Sequence, residues 1–506
     1  MDLQFSPAEL KAVLPATILF ATGLVVLITD LFVTGPDGND EPTTGKSHLV
    51  FLGLCGAVLA LAALFMSDGL LSNFKSGTKI FSGAIMADAF GGYCAALIIV
   101  ALLLTTVACG GYLGAQGQNR GEYYGLLYMG AGAMVLLAQA SNLISIFVAL
   151  ETMSFSVYVL SGFFRKWKTG SEGAFKYFVM GAFSSGFLLF GMALIYGATG
   201  SIELSAIRSP GVDAVLLNVG LLLLLVGFAF KVGAVPFHSW VPDAYQGAPA
   251  MSAGWMAVAV KICSFAALFR VVLATRGDEI LATTDSLGQL LAAIAVVTMI
   301  LGNLAALNQT NVKRMLAYSG IGHTGYLLIP VVLSYSGTPD RAGTSALFYF
   351  AAYIFMTLGA FIAIAAISSG KSDREELRQL SGLGKRHPFV ALVFTISLLS
   401  LAGIPGTAGF WGKLMIFRNA LQSQQYAYLA VIGVLASIVS VYYYLRPVVA
   451  MYFEDTPADE APVELVGDAW GLKLALALSV IGTLGLFVFG KPLHQLSEQS
   501  LRSIAG

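Results

Sequence analysis

Residues 142–163 read NLISIFVALETMSFSVYVLSGF, and this stretch decides the fold. An apolar run of about 20 residues, rising about 1.5 Å per residue, crosses a hydrocarbon core of about 30 Å. Yet Glu151 stands at its middle, with no other charge within ten residues on either side. A lone carboxylate at that depth must face another helix, so the stretch reads as one member of a bundle.

Working outward, runs of this kind recur near residues 10–32, 48–66, 86–108, 122–140, 142–163, 174–197, 214–235, 248–274, 286–306, 314–334, 344–368, 388–416, 426–450 and 469–490, fourteen in all. Long continuous runs predict helices, because backbone in hydrocarbon must satisfy its own hydrogen bonds and spanning β-strands would alternate instead. The expected fold class is all-α, a polytopic membrane protein. Of the 506 residues 57% are hydrophobic and 11% charged, where soluble domains carry about 25% charge. Lys+Arg and Asp+Glu each total 28, so no basic excess points to nucleic acid and no acidic block to a disordered tail. Cys55, Cys94, Cys109 and Cys263 lie in or beside apolar runs, with no CxxC and no histidine at ligand spacing. They read as small buried residues, and no cysteine-borne cofactor is expected. Residues 1–20, MDLQFSPAELKAVLPATILF, lack the pattern of a signal peptide, so the first run is expected to be retained.

Orientation follows from Lys and Arg in the connections. Odd-numbered loops carry Lys46, Arg120, Arg165, Lys166, Lys168, Lys313, Arg314, Lys371, Arg374, Arg378, Lys385, Arg386 and Arg446; even-numbered loops carry Lys75, Lys79, Arg208, Arg270, Arg276, Arg341 and Arg418. Thirteen against seven places the odd loops in the cytoplasm and both termini outside. The connection holding Asp455, Asp459, Glu460, Glu464 and Asp468 dissents, but acidic residues weigh little in this rule.

Subtracting these 20 from 28 basic residues leaves eight. Lys11 and Lys473 begin their helices and Lys491 and Arg502 belong to the tail, which isolates Lys176, Lys231, Lys261 and Lys413. Each central lysine costs about 2.5–3.5 kcal/mol on insertion scales, so something must solvate or pair it. All four are lysines, and a desolvated ammonium can shed its proton where guanidinium cannot. Glu151 is the obvious partner, as a proton switch or as a fixed brace. Lys176 lies about a turn inside its run and could snorkel, whereas Lys261 is central and cannot.

Lys231 precedes a helix-breaking sequence with Gly233, Pro236, Pro242 and Pro249, and Lys413 follows another with Gly403, Pro405, Gly406 and Gly409. Two interrupted helices, one lysine each, point to an ion path at the midplane of an inverted repeat. If runs four to eight repeat as nine to thirteen, Glu151 corresponds to His323 (323−151 = 172) and Lys231 to Lys413 (413−231 = 182). The divisions expected are 1–121, a first repeat at 122–275, a second at 276–453, and an acidic loop, last helix and tail at 454–506. His323, flanked by Gly, Ser and Thr, can relay protons at working pH or rest as a neutral hydrogen-bonded ring. His238 sits by a break and reads as a water-exposed loop residue. Asp30 and Asp88 read as interfacial, Asp243 belongs to the same weaker layer, and Lys313 and Arg314 read as cytoplasmic anchors.

Four segments now stand out: LETMSFSVYVLSGF around Glu151, FKVGAVPFHSWVPDAYQGAP around Lys231, NQTNVKRMLAYSGIGHTGYLL around His323 and LAGIPGTAGFWGK around Lys413. Together they resemble the subunit N family of bacterial respiratory complex I, the proton-translocating NADH:quinone oxidoreductase, over about the whole chain. The resemblance implies an antiporter-like proton channel with a Glu on helix five and lysines on helices six, seven, eight and twelve, matched by Glu151, Lys176, Lys231, Lys261 and Lys413. Lysine at the last position resembles subunits N and L, and no long lateral helix is expected after the last run, unlike L. Gly406, Gln246 and Ala16 depart from the family's usual Pro, Glu and Glu.

The implied function is proton translocation through a Glu151, Lys176, Lys231, Lys261, His323 and Lys413 relay, coupled to quinone reduction elsewhere. No GxGxxG on a strand–helix turn, iron–sulfur cysteine set or flavin site occurs here. No cofactor is therefore expected in this chain; NADH, FMN, iron–sulfur clusters and quinone belong to partner subunits. Expected partners are a neighbouring antiporter-like subunit, the small membrane subunits and the lipid bilayer of a bacterial inner membrane. The nearest rival is the homologous subunit of a multisubunit sodium/proton antiporter or membrane-bound hydrogenase. A passive scaffold and a solute carrier are the rivals from other classes.

Overall fold

The computed structural model describes residues 6–33, 46–66, 77–208, 212–275, 284–337, 339–368, 375–456, 465–466 and 470–505. The N-terminal part holds α1 (Pro7–Val33), α2 (Ser47–Met66), a hairpin of β1 (Thr78–Ile80) and β2 (Ile85–Ala87), and α3 (Ala89–Ala115). There follow α4 (Gly121–Gln139), α5 (Leu143–Ser161), α6 (Lys168–Thr199), α7 (Ala214–Val232), α8 (Trp240–Gly247) and α9 (Ala250–Ala274). The second part holds α10 (Thr284–Leu307), α11 (Val312–Tyr335), α12 (Pro339–Ala366), α13 (Pro388–Ala402), α14 (Ala408–Leu421) and α15 (Ala427–Phe453). The chain closes with α16 (Trp470–Val488) and α17 (Gly490–Ala505).

Among the described residues, 12 helices are long and apolar enough to cross a membrane. They coincide with twelve of the fourteen predicted runs, and the other two differ for physical reasons. Run 122–140 is α4, whose sequence GEYYGLLYMGAGAMVLLAQ dilutes its apolar character with glycine and tyrosine. Run 388–416 is divided at Gly403 into α13 and α14. The expected all-α fold also gains a three-residue antiparallel ladder, Thr78–Ile80 on Ile85–Ala87, and the predicted tail is the helix α17.

Burial separates a centre from a rim. Along their most apolar stretches α9 is 100% buried and α11 and α12 are 94% buried, against 28% for α1 and 33% for α6 and α16. The rim helices expose large side chains such as Phe32, Phe51, Phe183 and Ile481, as lipid-facing surfaces require. Cys94, Cys109 and Cys263 are buried as expected, but Cys55 is exposed on α2.

Both helix breaks take place where the sequence places them. Gly233 (φ 71°) ends α7 and Gly403 (φ 85°) ends α13, in a left-handed conformation that side chains disfavour. The freed backbone groups of the first break are re-satisfied from neighbouring elements. Trp240 Nε1 donates to Phe230 O (3.1 Å), Thr324 Oγ1 to Val232 O (2.6 Å), and Val235 N to Thr298 Oγ1 (3.0 Å). At the second break Gly409 N donates to Ser400 Oγ (3.1 Å).

Several charges are more deeply buried than expected. Asp88 and Arg270 form a bidentate pair (2.7 and 2.8 Å) with side chains 0% and 6% exposed, so Asp88, at the start of α3, is covered by protein and Arg270 lies within α9 rather than in a loop. Asp30 pairs with Lys46 (2.6 Å) and accepts from Gly121 N (2.7 Å), again largely buried. Lys313 is buried against Glu375 (2.8 Å) and Ala248 O (2.6 Å) rather than anchoring at a surface. Lys75, Arg276, Lys371, Arg374, Asp459, Glu460, Glu464 and Asp468, used in the orientation argument, lie outside the described residues.

Candidate functional site

The site begins where α5 meets the end of α7. Glu151 sits on α5 with its side chain 34% exposed, and Lys231, 2% exposed, closes the last turn of α7. Lys231 Nζ lies 3.8 Å from Glu151 Oε1 and donates to Ser154 Oγ (2.8 Å) and Tyr158 OH (3.2 Å). Ser185 Oγ of α6 donates to the same Glu151 oxygen (2.6 Å). The sequence-based pairing of Glu151 with a membrane lysine is thus realised by Lys231, with hydroxyls filling the remaining positions of both partners.

Lys176 is not brought to this pair. Helix α6 starts at Lys168, earlier than its apolar run, so Lys176 lies more than two turns inside it. Its side chain, 45% exposed, meets Glu172 (2.8 Å) and Asp243 (3.0 Å). The other Asp243 oxygen accepts from Arg314 NH1 (2.6 Å), which also reaches Gln246 Oε1 (3.2 Å). One carboxylate on α8 therefore ties α6 of the first half to α11 of the second. His238, also beside the break, is partly buried rather than open to water.

From Lys231 the polar groups continue inward. The Thr324 hydroxyl is 2.6 Å from Val232 O, at the end of the Lys231 helix, and 3.2 Å from Gly320 O. Gly320 O accepts from Lys261 Nζ (2.5 Å), and Lys261 follows a π-helical turn, Met256–Val260, that re-aims this part of α9. The Lys261 amine lies over the ring of Tyr353 (5.3 Å), and that ring also neighbours His323 (ring centroids 5.3 Å). His323 is fully enclosed: Nδ1 bonds Tyr349 OH and Nε2 lies 3.0 Å from Tyr444 OH, itself bonded to Ser319. On its far side Tyr326 lies 5.6 Å from His323 and 5.0 Å from Lys413 Nζ.

Lys413 completes the series at the second break. Its Nζ donates to Leu401 O (2.8 Å), Ala402 O (3.0 Å) and Ser437 Oγ (2.9 Å). Leu401 and Ala402 are the last residues of α13, whose carbonyl end carries partial negative charge, so an ammonium is stabilised there without a carboxylate. Gly403 permits this approach, since a Cβ there would lie 3.0 Å from Lys413 Cδ and 3.4 Å from Nζ. Gly403→Ala is expected to cost about 1–2 kcal/mol from backbone conformation alone and to displace Lys413. A lowered thermal midpoint together with impaired translocation would bear this out; a variant matching the parent in both would contradict it.

Polar groups thus run from the half-buried Glu151 through the buried Lys231, Lys261 and His323 to Lys413, across α5, α7, α9, α11 and α14. Sequence reasoning missed Tyr158, Tyr326, Tyr349, Tyr353 and Tyr444, which read as apolar filler in helical runs. Among the described residues no three His, Cys, Asp or Glu side chains converge as metal ligands do.

The family described as NADH:quinone oxidoreductase/Mrp antiporter, TM, matches residues 140–440, the segment holding every group of the series. The NADH-quinone oxidoreductase subunit N of Trichlorobacter lovleyi is 38% identical over 99% of this chain and 98% of its own. This chain belongs to the NADH-quinone oxidoreductase subunit N family. A second member, from Sorangium cellulosum, is 39% identical over 93% of this chain and 94% of its own. A chain of respiratory complex I from Thermus thermophilus superposes with TM-score 0.77 at 32% identity, covering 96% of this chain and 99% of that one. A chain of the Mrp complex from Dietzia shares the fold (TM-score 0.79, 22% identity, all of both chains). The subunit N family resemblance read from the four motifs therefore holds over the whole chain, as part of an antiporter-like membrane fold.

Proposed function

We propose that this subunit conducts protons through the buried series, coupled to quinone reduction in partner subunits. The observation that carries the reading is the succession Lys261, Tyr353, His323, Tyr326, Lys413, in which two lysine side chains flank one imidazole through aromatic rings. Glu151 and Lys231 form the receiving end. Their 3.8 Å separation, with hydroxyls ready to accept either charge, suits a pair that opens and closes rather than a fixed brace. Opening the pair leaves a buried, unpaired ammonium on Lys231, which lowers its proton affinity and favours transfer of its proton to the Lys261 amine. His323 then passes the proton to Lys413, and the second break leads it outward. Lys176 takes a side role, holding α8 through Asp243.

In this reading residues 122–275 and 276–453 are the two inverted repeats, and Glu151 and Lys231 correspond to His323 and Lys413. NADH, FMN, iron–sulfur clusters and quinone are handled by partner subunits. The partners include a neighbouring antiporter-like subunit and the small membrane subunits, in a bacterial inner membrane with both termini periplasmic. The test uses the assembled complex in sealed vesicles, with NADH as electron donor and acidification as readout. Lys413→Ala is expected to lower translocation by more than about tenfold while NADH:quinone reduction continues, with or without sodium. Undiminished acidification would overturn the reading, and acidification that requires sodium would mean that the subunit exchanges sodium rather than conducting protons alone.

A further inference from the structure

Outside the proton series, the connections after α3 and α5 meet at one end of the bundle and enclose a pocket of about 610 Å³. Its polar wall carries Arg120, Arg165 and Lys166 against a single carboxylate, Glu122. Arg165 and Lys166 are exposed, and among the described residues Gln116 Nε2, which also lines the pocket, is a buried donor with no hydrogen-bond partner. Phe163 and Trp167 complete the rim, as aromatic rings do at a bilayer interface. The pocket's apolar wall, Leu126 of α4 and Val159 of α5, continues along both helices. Leu126, Met129 and Leu136 are half-buried at helical spacing on α4, and Val159, Phe155 and Val148 are 40%, 64% and 56% exposed on α5. The helices touch where a Cβ on Gly130 would lie 3.1 Å from Ser156 Cβ, and helical periodicity puts both stripes on the same side of that contact.

We propose that this pocket binds one anionic phospholipid of the surrounding bilayer. Its headgroup phosphate would be held by Arg165, Lys166 and the Gln116 amide, and its acyl chains would lie in the α4–α5 trough. The charge excess selects an anion, the trough selects a diacyl chain, and their continuity requires one molecule to carry both. A soluble phosphate would leave the trough uncovered, and a zwitterionic lipid would not use the cation excess. The assignment is independent of proton conduction.

The test is native mass spectrometry of the full chain in mild detergent, titrated with dioleoylphosphatidylglycerol, dioleoylphosphatidylcholine or sodium phosphate. The parent chain is expected to retain phosphatidylglycerol preferentially. The Arg165→Ala/Lys166→Ala double variant should weaken that retention about twentyfold while keeping phosphatidylcholine binding, which also reports that it is folded. Lys385→Ala, removing an exposed cation elsewhere, should leave retention unchanged. Equal retention of the two lipids by the parent, undiminished phosphatidylglycerol retention by the double variant, or displacement of the lipid by phosphate alone would each overturn the proposal.

Discussion

Lys231→Arg is expected to assemble, to sustain NADH:quinone reduction, and to lose proton translocation by more than about tenfold. Guanidinium keeps the positive charge beside Glu151 and can still donate to Ser154 and Tyr158, so a static brace between α5 and α7 would survive the exchange. What guanidinium cannot do is release its proton in turnover. The substitution therefore separates the two readings of the Glu151–Lys231 pair that the sequence leaves open. Lys231→Met serves as the companion, similar in length but without charge, and the same loss is expected. Acidification rates per electron in sealed vesicles decide the matter: full translocation by the arginine variant would make the pair a brace.

The largest effect on stability is expected far from that pair, at Arg270. Its guanidinium closes both oxygens of Asp88, and its Nε donates to Ala138 O (2.9 Å). Asp88 also caps α3 by accepting from Gly91 N (2.7 Å), so one ion pair joins the start of α3 to α9 and the end of α4. Arg270→Ala strands a carboxylate whose side chain is 0% exposed, and breaking such a pair costs about 3–5 kcal/mol. Asp88→Asn keeps an oxygen for the cap and removes the stranded charge. The double variant Asp88→Asn/Arg270→Ala should accordingly be more stable than Arg270→Ala alone. Thermal unfolding of the assembled complex and subunit abundance in membranes check this; a double variant less stable than the single one would contradict it.

The same residues show how far the sequence could be read. The positions of most spanning helices, the two breaks and the isolation of Glu151, Lys231, Lys261 and Lys413 were legible, because the cost of charge in hydrocarbon leaves a visible mark in composition. The partners were less so. Asp88 and Arg270 are 182 positions apart, and each lies near the end of an apolar run, where a surface position is the simplest reading. Lys176 sat in an apolar stretch like the other lysines, but its helix begins earlier and Asp243 waits on the folded-back α8. The tyrosines around His323 were invisible for another reason. A tyrosine in a helical run satisfies the apolar pattern, and its hydroxyl declares itself only when α12 and α15 bring Tyr349 and Tyr444 to the two ring nitrogens.

The most direct test of the account asks whether the buried amines change protonation during turnover. Redox-triggered infrared difference spectroscopy on the complex, with lysine isotopically labelled in this subunit, reports conversion between ammonium and amine. The account predicts lysine bands that appear with quinone reduction and vanish in the Lys261→Met and Lys413→Ala variants. Lysine bands that stay silent while the complex translocates protons at its full rate would contradict it.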